Sequence, residues 1–194
     1  MAAGDADVRP RRRAILGGLA VAVVVCAFWI PTHPQRPVEP TGDVYTHLMV
    51  ARHLVRGDGF RTDIAYPLSF AWPFARELPQ PLLHRAPGYA LLLAAPVAAV
   101  GGDAGRALAT VRVLQLVILA GLLWLGSAAW FARGRPGAAV GWAVLVAAHP
   151  LVGYAVDRGH DELPAALVLL ACWLRHRDGA RQPQAVDGGL LAIL

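Results

Sequence analysis

AILGGLAVAVVVCAFWI, residues 14–30, is an uninterrupted apolar run of about the length a helix needs to cross a bilayer. Arg9, Arg11, Arg12 and Arg13 stand directly before it, which by the positive-inside rule places the N-terminus in the cytoplasm. The same R-R-R-A-I-L-G-G run is similar to a twin-arginine export signal. No A-x-A cleavage site follows and further apolar blocks come later, so the reading is an uncleaved anchor. Met1–Pro10 is small and polar, and is expected to be disordered.

Working outward, Tyr89–Val100, Val113–Phe131, Ala138–Ala148 and Leu163–Leu174 are further apolar blocks, several of them short for a full crossing. The chain is 56% hydrophobic with a mean hydropathy of +0.47, too apolar for an ordinary soluble domain. The fold class is therefore all-α: a polytopic α-helical membrane protein. Four regions follow: a cytoplasmic basic N-terminus (1–13), a first transmembrane helix (14–30), an extracytoplasmic loop with a surface helix (31–87), and a multi-span membrane region (88–194).

All 18 basic residues are Arg. The net charge of +5 does not point to nucleic acid, because the arginines are scattered at span ends rather than gathered on one soluble face. Cys26 and Cys172 both lie in apolar runs, where Cys acts as a small hydrophobe; they form no metal motif and no disulfide framework.

Pro31 to Pro40 is proline-dense and predicts an extended exit from the first span. Asp43 to Leu54 has helical spacing, with Val44, Leu48, Ala51 and Val55 on one face and Arg52 and Arg56 toward water. Asp43 or Thr41 would cap its start, and Gly57 and Gly59 would stop it. Such a helix suits the membrane surface. Tyr66 to Pro81 alternates aromatic residues with prolines, as suits headgroup depth. Beyond Pro87 two topologies stand: counting every apolar block as a crossing places Arg133 and Arg135 outside, whereas the charge rule puts A-R-G-R-P-G inside, D-R-G-H-D-E outside and R-H-R-D-G-A-R inside. That pattern demands an odd number of crossings between Pro87 and Phe131.

Several side chains carry chemistry. Asp43 stands about a dozen residues past the first span, where a partly shielded carboxylate is tunable as a base; its plain role is a helix cap. Asp161 fits an N-cap beside Glu162, with Pro164 in the first turn. Arg56, Arg61, Arg85 and Arg158 are suited to phosphate through the bidentate fork of guanidinium, or else to snorkelling at the membrane edge. His47, His53, His84 and His160 fall in the outer regions, yet their spacing matches no zinc motif. Gly57-Asp58-Gly59 is too short for a dinucleotide loop, and Pro87-Gly88 reads as a helix start.

Taken in order, G-D-V-Y-T-H-L-M-V-A-R-H-L-V-R-G-D-G-F-R-T-D from Gly42 and H-R-A-P-G-Y-A-L-L-L from His84 resemble the first extracytoplasmic loop of GT-C membrane glycosyltransferases. That superfamily holds the protein O-mannosyltransferases and the aminoarabinose transferase of lipid A. The resemblance covers roughly residues 14–175, with D-x-Y-x-H-x-x-x-A-R-x-L as its frame. It implies a polyprenyl-phosphate sugar as donor and the bilayer as setting, with an extracytoplasmic acceptor of unknown identity. It also implies Asp43 as catalytic base, Asp161 as a second site carboxylate, and Arg85, with Arg61, as ligands of the donor phosphate. Many relatives have two adjacent acids where this chain has Gly42–Asp43; no cofactor is assigned, and a divalent metal remains compatible. Two other readings stand beside it: a non-catalytic or truncated multi-pass relative, and a small transporter subunit. The segment from Gly188 ends at L-L-A-I-L inside a new apolar run, which leads one to expect a longer protein. Transport is disfavoured because ionisable groups within the apolar runs are few, Arg112 and Gln115 lying near one end of theirs.

Overall fold

The apolar run at 14–30 forms the body of α1 (Asp5–Thr32). A computed structural model describes residues 5–33, 42–65, 77–81 and 87–178 of the chain. The expectation of disorder over Met1–Pro10 is corrected from Asp5 onward, where the helix already begins; residues 1–4 lie outside the described residues. Arg11, Arg12 and Arg13 are good helix formers that extend a helix nucleated in the apolar run, and they do so here against the cost of Pro10. Pro31 is likewise helical, and Thr32 closes the last turn by donating its hydroxyl to the carbonyls of Phe28 and Trp29 at 2.9 and 3.0 Å. The extended exit expected at Pro31–Pro40 therefore begins no earlier than His33, and the rest of it lies outside the described residues.

The remaining helices are α2 (Gly42–Arg56), α3 (Pro87–Ala99), α4 (Ala104–Phe131), α5 (Pro136–Ala148), α6 (Pro150–Arg158) and α7 (Glu162–Asp178). The all-α expectation holds, with one small departure. Arg61–Thr62 (β1) and Gln80–Pro81 (β2) pair antiparallel, Arg61 opposite Pro81 and Thr62 opposite Gln80.

Among the described residues, two helices are long and apolar enough to cross a membrane, Arg12–Thr32 of α1 and Arg106–Phe131 of α4. A third crossing is available if α5 and α6, which bend by 57° at His149, count as one span. The bend falls at Pro150, which cannot supply an N–H to continue the α5 ladder. Between Pro87 and Phe131 only α4 qualifies among the described residues. At 13 residues, α3 extends roughly 20 Å, short of a hydrocarbon core of about 30 Å.

α1 and α4 run antiparallel in close contact. Trp124 on α4 donates its indole N–H to the Ile15 carbonyl at 3.2 Å. A Cβ on Gly18 would stand 2.6 Å from the backbone nitrogen of Ala128, so glycine is what lets the two backbones meet. α5 returns along α4, with Ser127 donating to the Ala139 carbonyl at 3.2 Å. Trp29, near the end of α1, donates to the Ala147 carbonyl at 2.9 Å. α7 packs on α4 through Leu167, which lies 3.6 Å from where a Cβ on Gly121 would stand. These contacts gather Arg12, Arg13, Arg133, Arg135 and the end of α7 at one end of the bundle. The α6–α7 junction lies at the other.

Two cores result. Ala22, Trp29, Leu119, Leu123, Ala143 and Val156 belong to the first, between α1, α4, α5 and α6. Val44, Leu48, Ala51, Tyr89, Leu93, Val97, Ala107 and Val111 form the second, between α2, α3 and the first turns of α4. Outward from the first core, Val24, Phe28, Val117 and Leu145 are exposed apolar residues, Phe28 and Leu145 each at 74%.

α2 departs from a simple surface helix. Val44, Leu48 and Ala51 are buried as expected, but so are Thr46, His47, Met49 and Val50, while Val55 is exposed. Arg52 is half-buried rather than turned to water, and only Arg56 is exposed. The reason is that α2 is enclosed by α3, β1 and α4, so more than one face is covered. Its end is as expected: Gly57 takes a left-handed φ of 84°, and Asp58 N–H reaches back to the His53 carbonyl at 2.9 Å.

Candidate functional site

The side chains that converge do so where α2 begins, α3 begins and α6 passes into α7. Gly159 ends α6 with a left-handed φ of 70°, a conformation that glycine adopts without strain. A Cβ there would stand 2.7 Å from Val111 Cγ1 and 3.5 Å from Val44 Cγ1, so a side chain would press on Val111 of α4, with the start of α2 at van der Waals distance beyond. Val44 is the neighbour of Asp43, and Gly159 lies two positions before Asp161.

Tyr89, in the first turn of α3, donates its hydroxyl to the Gly159 carbonyl. Gln115 on α4 donates from Nε2 to the Tyr89 oxygen at 2.8 Å and to the His160 carbonyl at 2.6 Å. The His47 ring stands edge-on to Tyr89 at 5.2 Å. Burial pushes the Tyr89 hydroxyl well above the usual phenol range; the Gln115 hydrogen bond opposes this, and the Asp161 and Glu162 carboxylates add to it. Tyr89 thus stays a donor across the working pH range. One residue before α6 ends, Asp157 accepts from Arg112 of α4 at 3.0 Å, both side chains being mostly buried. Arg112, Gln115 and Tyr89 together fix the backbone from Asp157 to His160.

What this fixed turn presents is polar and open. Asp161 and Glu162 are exposed, and His160 Nδ1 lies 3.4 Å from Glu162 Oε2. One ligand atom from each of His160, Asp161 and Glu162 falls within 4.8 Å of the others. An imidazole with two carboxylates is a donor set for a divalent cation. Asp161 also takes the place expected of it before α7, its carbonyl accepting from Ala165 N–H at 3.1 Å. Asp43 is half-buried in the first turn of α2, where a carboxylate complements the positive helix end.

The expected site residues are thus distributed unevenly. Asp43 is next to Val44, and Asp161 follows two positions after Gly159, the turn that Val44 approaches. Arg61 is exposed in β1, beside the far end of α2, and Asp43 opens the near end about 20 Å away along the helix. Arg85 and His84 lie outside the described residues. Arg158 is half-buried with its guanidinium 5.8 Å from the Tyr154 ring centre. Arg56 is exposed.

Two features were not anticipated from the sequence. The first is Gln115, noted there only as a polar residue near the end of an apolar run. A lone amide inside an otherwise apolar stretch was the signal available, and the structure buries it completely. The second is a clamp at the far end of α2. His53 is buried, and its Nδ1 meets Asp58 Oδ2 at 3.0 Å while its Nε2 meets Asp63 Oδ1 at 3.1 Å. This ties the Gly57–Asp63 loop back onto the helix, so His53 serves the loop rather than the Asp43 end.

No family model, no curated protein and no solved structure matches this chain.

Proposed function

We propose that the protein is a membrane glycosyltransferase that moves a sugar from a polyprenyl-phosphate donor to an extracytoplasmic acceptor, with Asp43 as base. The observation that supports this reading is the approach of Val44, the neighbour of Asp43, to the Gly159 turn, its Cγ1 lying 3.5 Å from where a Cβ on Gly159 would stand; that turn leads into His160, Asp161 and Glu162. Two acidic segments separated by more than a hundred residues in sequence meet at one end of a bundle whose outer faces are apolar. That is the depth at which a lipid-linked phosphate would lie if α1 and α4 cross the bilayer with their Arg-bearing ends inside.

In this mechanism the Asp43 carboxylate takes the proton of the acceptor hydroxyl. The acceptor oxygen then attacks the anomeric carbon, and the bond from that carbon to the phosphate oxygen breaks with inversion. The electron pair leaves on the lipid phosphate, whose charge Arg85 holds. Asp161 orients the acceptor from the facing turn. His160, Asp161 and Glu162 are the residues that would hold a divalent cation, which when bound would supply charge stabilisation to the phosphate; no step above depends on it. Arg61, at the other end of α2, is left to the loop it belongs to.

The test is sugar transfer in membranes containing the full-length protein, with pooled radiolabelled polyprenyl-phosphate sugars, for wild type and Asp43→Asn. Transfer by the wild type and its loss in Asp43→Asn, at unchanged membrane insertion, supports the reading. Transfer undiminished in Asp43→Asn removes Asp43 from the base role. No transfer from a correctly inserted wild type favours a non-catalytic relative.

A further inference from the structure

At the end of the bundle opposite Asp43, a cavity of about 110 Å³ opens between the last turns of α4 and α7 and the first part of α5. It is well above the roughly 10–15 Å³ that admits a single water, yet too small to enclose a lipid chain. Trp130, Trp142 and Trp173 wall it, and Arg133 and Arg177 line it as well. Each arginine is held over an indole, Arg133 at 5.9 Å from the Trp130 ring centre and Arg177 at 5.2 Å from that of Trp173. Arg133 also donates to the Ala129 carbonyl at the end of α4, which leaves most of its five N–H groups to spare. Neither guanidinium forms an ion pair with a carboxylate among the described residues.

We propose that this cavity seats the headgroup of an anionic phospholipid, with the phosphate between Arg133 and Arg177. The wall chemistry fits the molecule in layers. Two stacked guanidiniums at the rim match phosphate oxygens with a fork geometry that is already organised. The indole faces with Leu170 and Leu174 match the glycerol and the first methylenes below it. The two guanidiniums carry a net positive charge into the cavity, so an anionic lipid is favoured there over a zwitterionic one. Gly126 is part of the design, because a Cβ at that position would collide with the Trp142 indole. The inference rests on the bilayer setting of the proposed function but not on sugar transfer, and its test needs no catalysis.

The test uses the full chain, purified in a mild detergent and titrated with phosphatidylglycerol or phosphatidylcholine, bound lipid being counted by native mass spectrometry. We expect one phosphatidylglycerol per chain, retained about tenfold or more over phosphatidylcholine. Arg133→Gln/Arg177→Gln should abolish that preference. Arg12→Gln/Arg13→Gln, with the same change in net charge, should keep it. Arg177→Gln alone, at an exposed position that cannot disturb folding, should weaken it severalfold. Equal retention of the two lipids overturns the proposal. So does equal loss in both double variants, which would mean general attraction to a basic surface, or a preference that Arg177→Gln leaves unchanged.

Discussion

Gln115 and Tyr89 are joined by a hydrogen bond of 2.8 Å, and through it one amide group connects the start of α3, the middle of α4 and the turn that leads into α7. The same Nε2 reaches the His160 carbonyl. Gln115→Leu should keep the volume while leaving the Tyr89 oxygen and the His160 carbonyl one donor short. A loss of about 1–3 kcal/mol is expected for groups so buried, read as a lowered midpoint of thermal unfolding in detergent. An unchanged midpoint would mean that the bundle does not rely on this amide.

Arg112 and Asp157 form the neighbouring tie, at 3.0 Å with side chains only 16% and 21% exposed. Removing one partner strands the other, so Arg112→Leu or Asp157→Leu alone should each destabilise by about 1.5–3 kcal/mol. The double variant should recover much of the loss, because a well-packed apolar pair replaces a partly buried ion pair at little cost. A double-mutant cycle measures this directly, and strict additivity of the two losses would show that the pair carries no coupling.

Close approach of α1 and α4 depends on Gly18, where a Cβ would press to 2.6 Å on the Ala128 backbone. Gly18→Ala should force the helices apart and cost about 1–3 kcal/mol as overpacking. Gly141→Ala is the matched control, with nothing within 4 Å of its Cβ position; it should be neutral or slightly stabilising as a helix residue. Equal thermal midpoints for the two variants would contradict the packing.

Sidedness follows from the bundle ends. Asp161→Cys should react with an impermeant thiol reagent added outside intact cells, whereas Arg135→Cys should react only after the membrane is opened. Both positions are exposed, so protection at either reports the membrane rather than burial. Labelling of both from the same side would break the orientation on which the proposed function stands.

Much of this architecture was legible before any coordinates. The run at 14–30, the apolar blocks and the alternating arginine clusters mark the helices and their ends, because bilayer crossing imposes length and charge rules that act locally. Gly57 and Pro87 stop and start their helices as residues of those kinds do. What stayed hidden was tertiary. Nothing in the spacing of α2 announces that Thr46, His47 and Val50 are covered, since that burial comes from α3 and β1 arriving from later in the chain. The pairing of His53 with Asp58 and Asp63 is similarly a matter of where a loop folds back. At the candidate site, Asp43 and Asp161 were visible singly as helix-start carboxylates. The approach of Val44 to the Gly159 turn is something that no one-dimensional pattern encodes.

α4 belongs to both cores: Ala107 and Val111 pack with α2 and α3, while Ile118 to Leu123 pack with α1 and α5. Its 28 residues make a continuous rod of roughly 42 Å. Such a rod acts as a lever whose two arms share one axis. A tilt imposed at the Phe131 end, where the arginine-lined cavity lies, would be carried along the axis to Arg112 and Gln115, and with them to the turn that leads to Asp161.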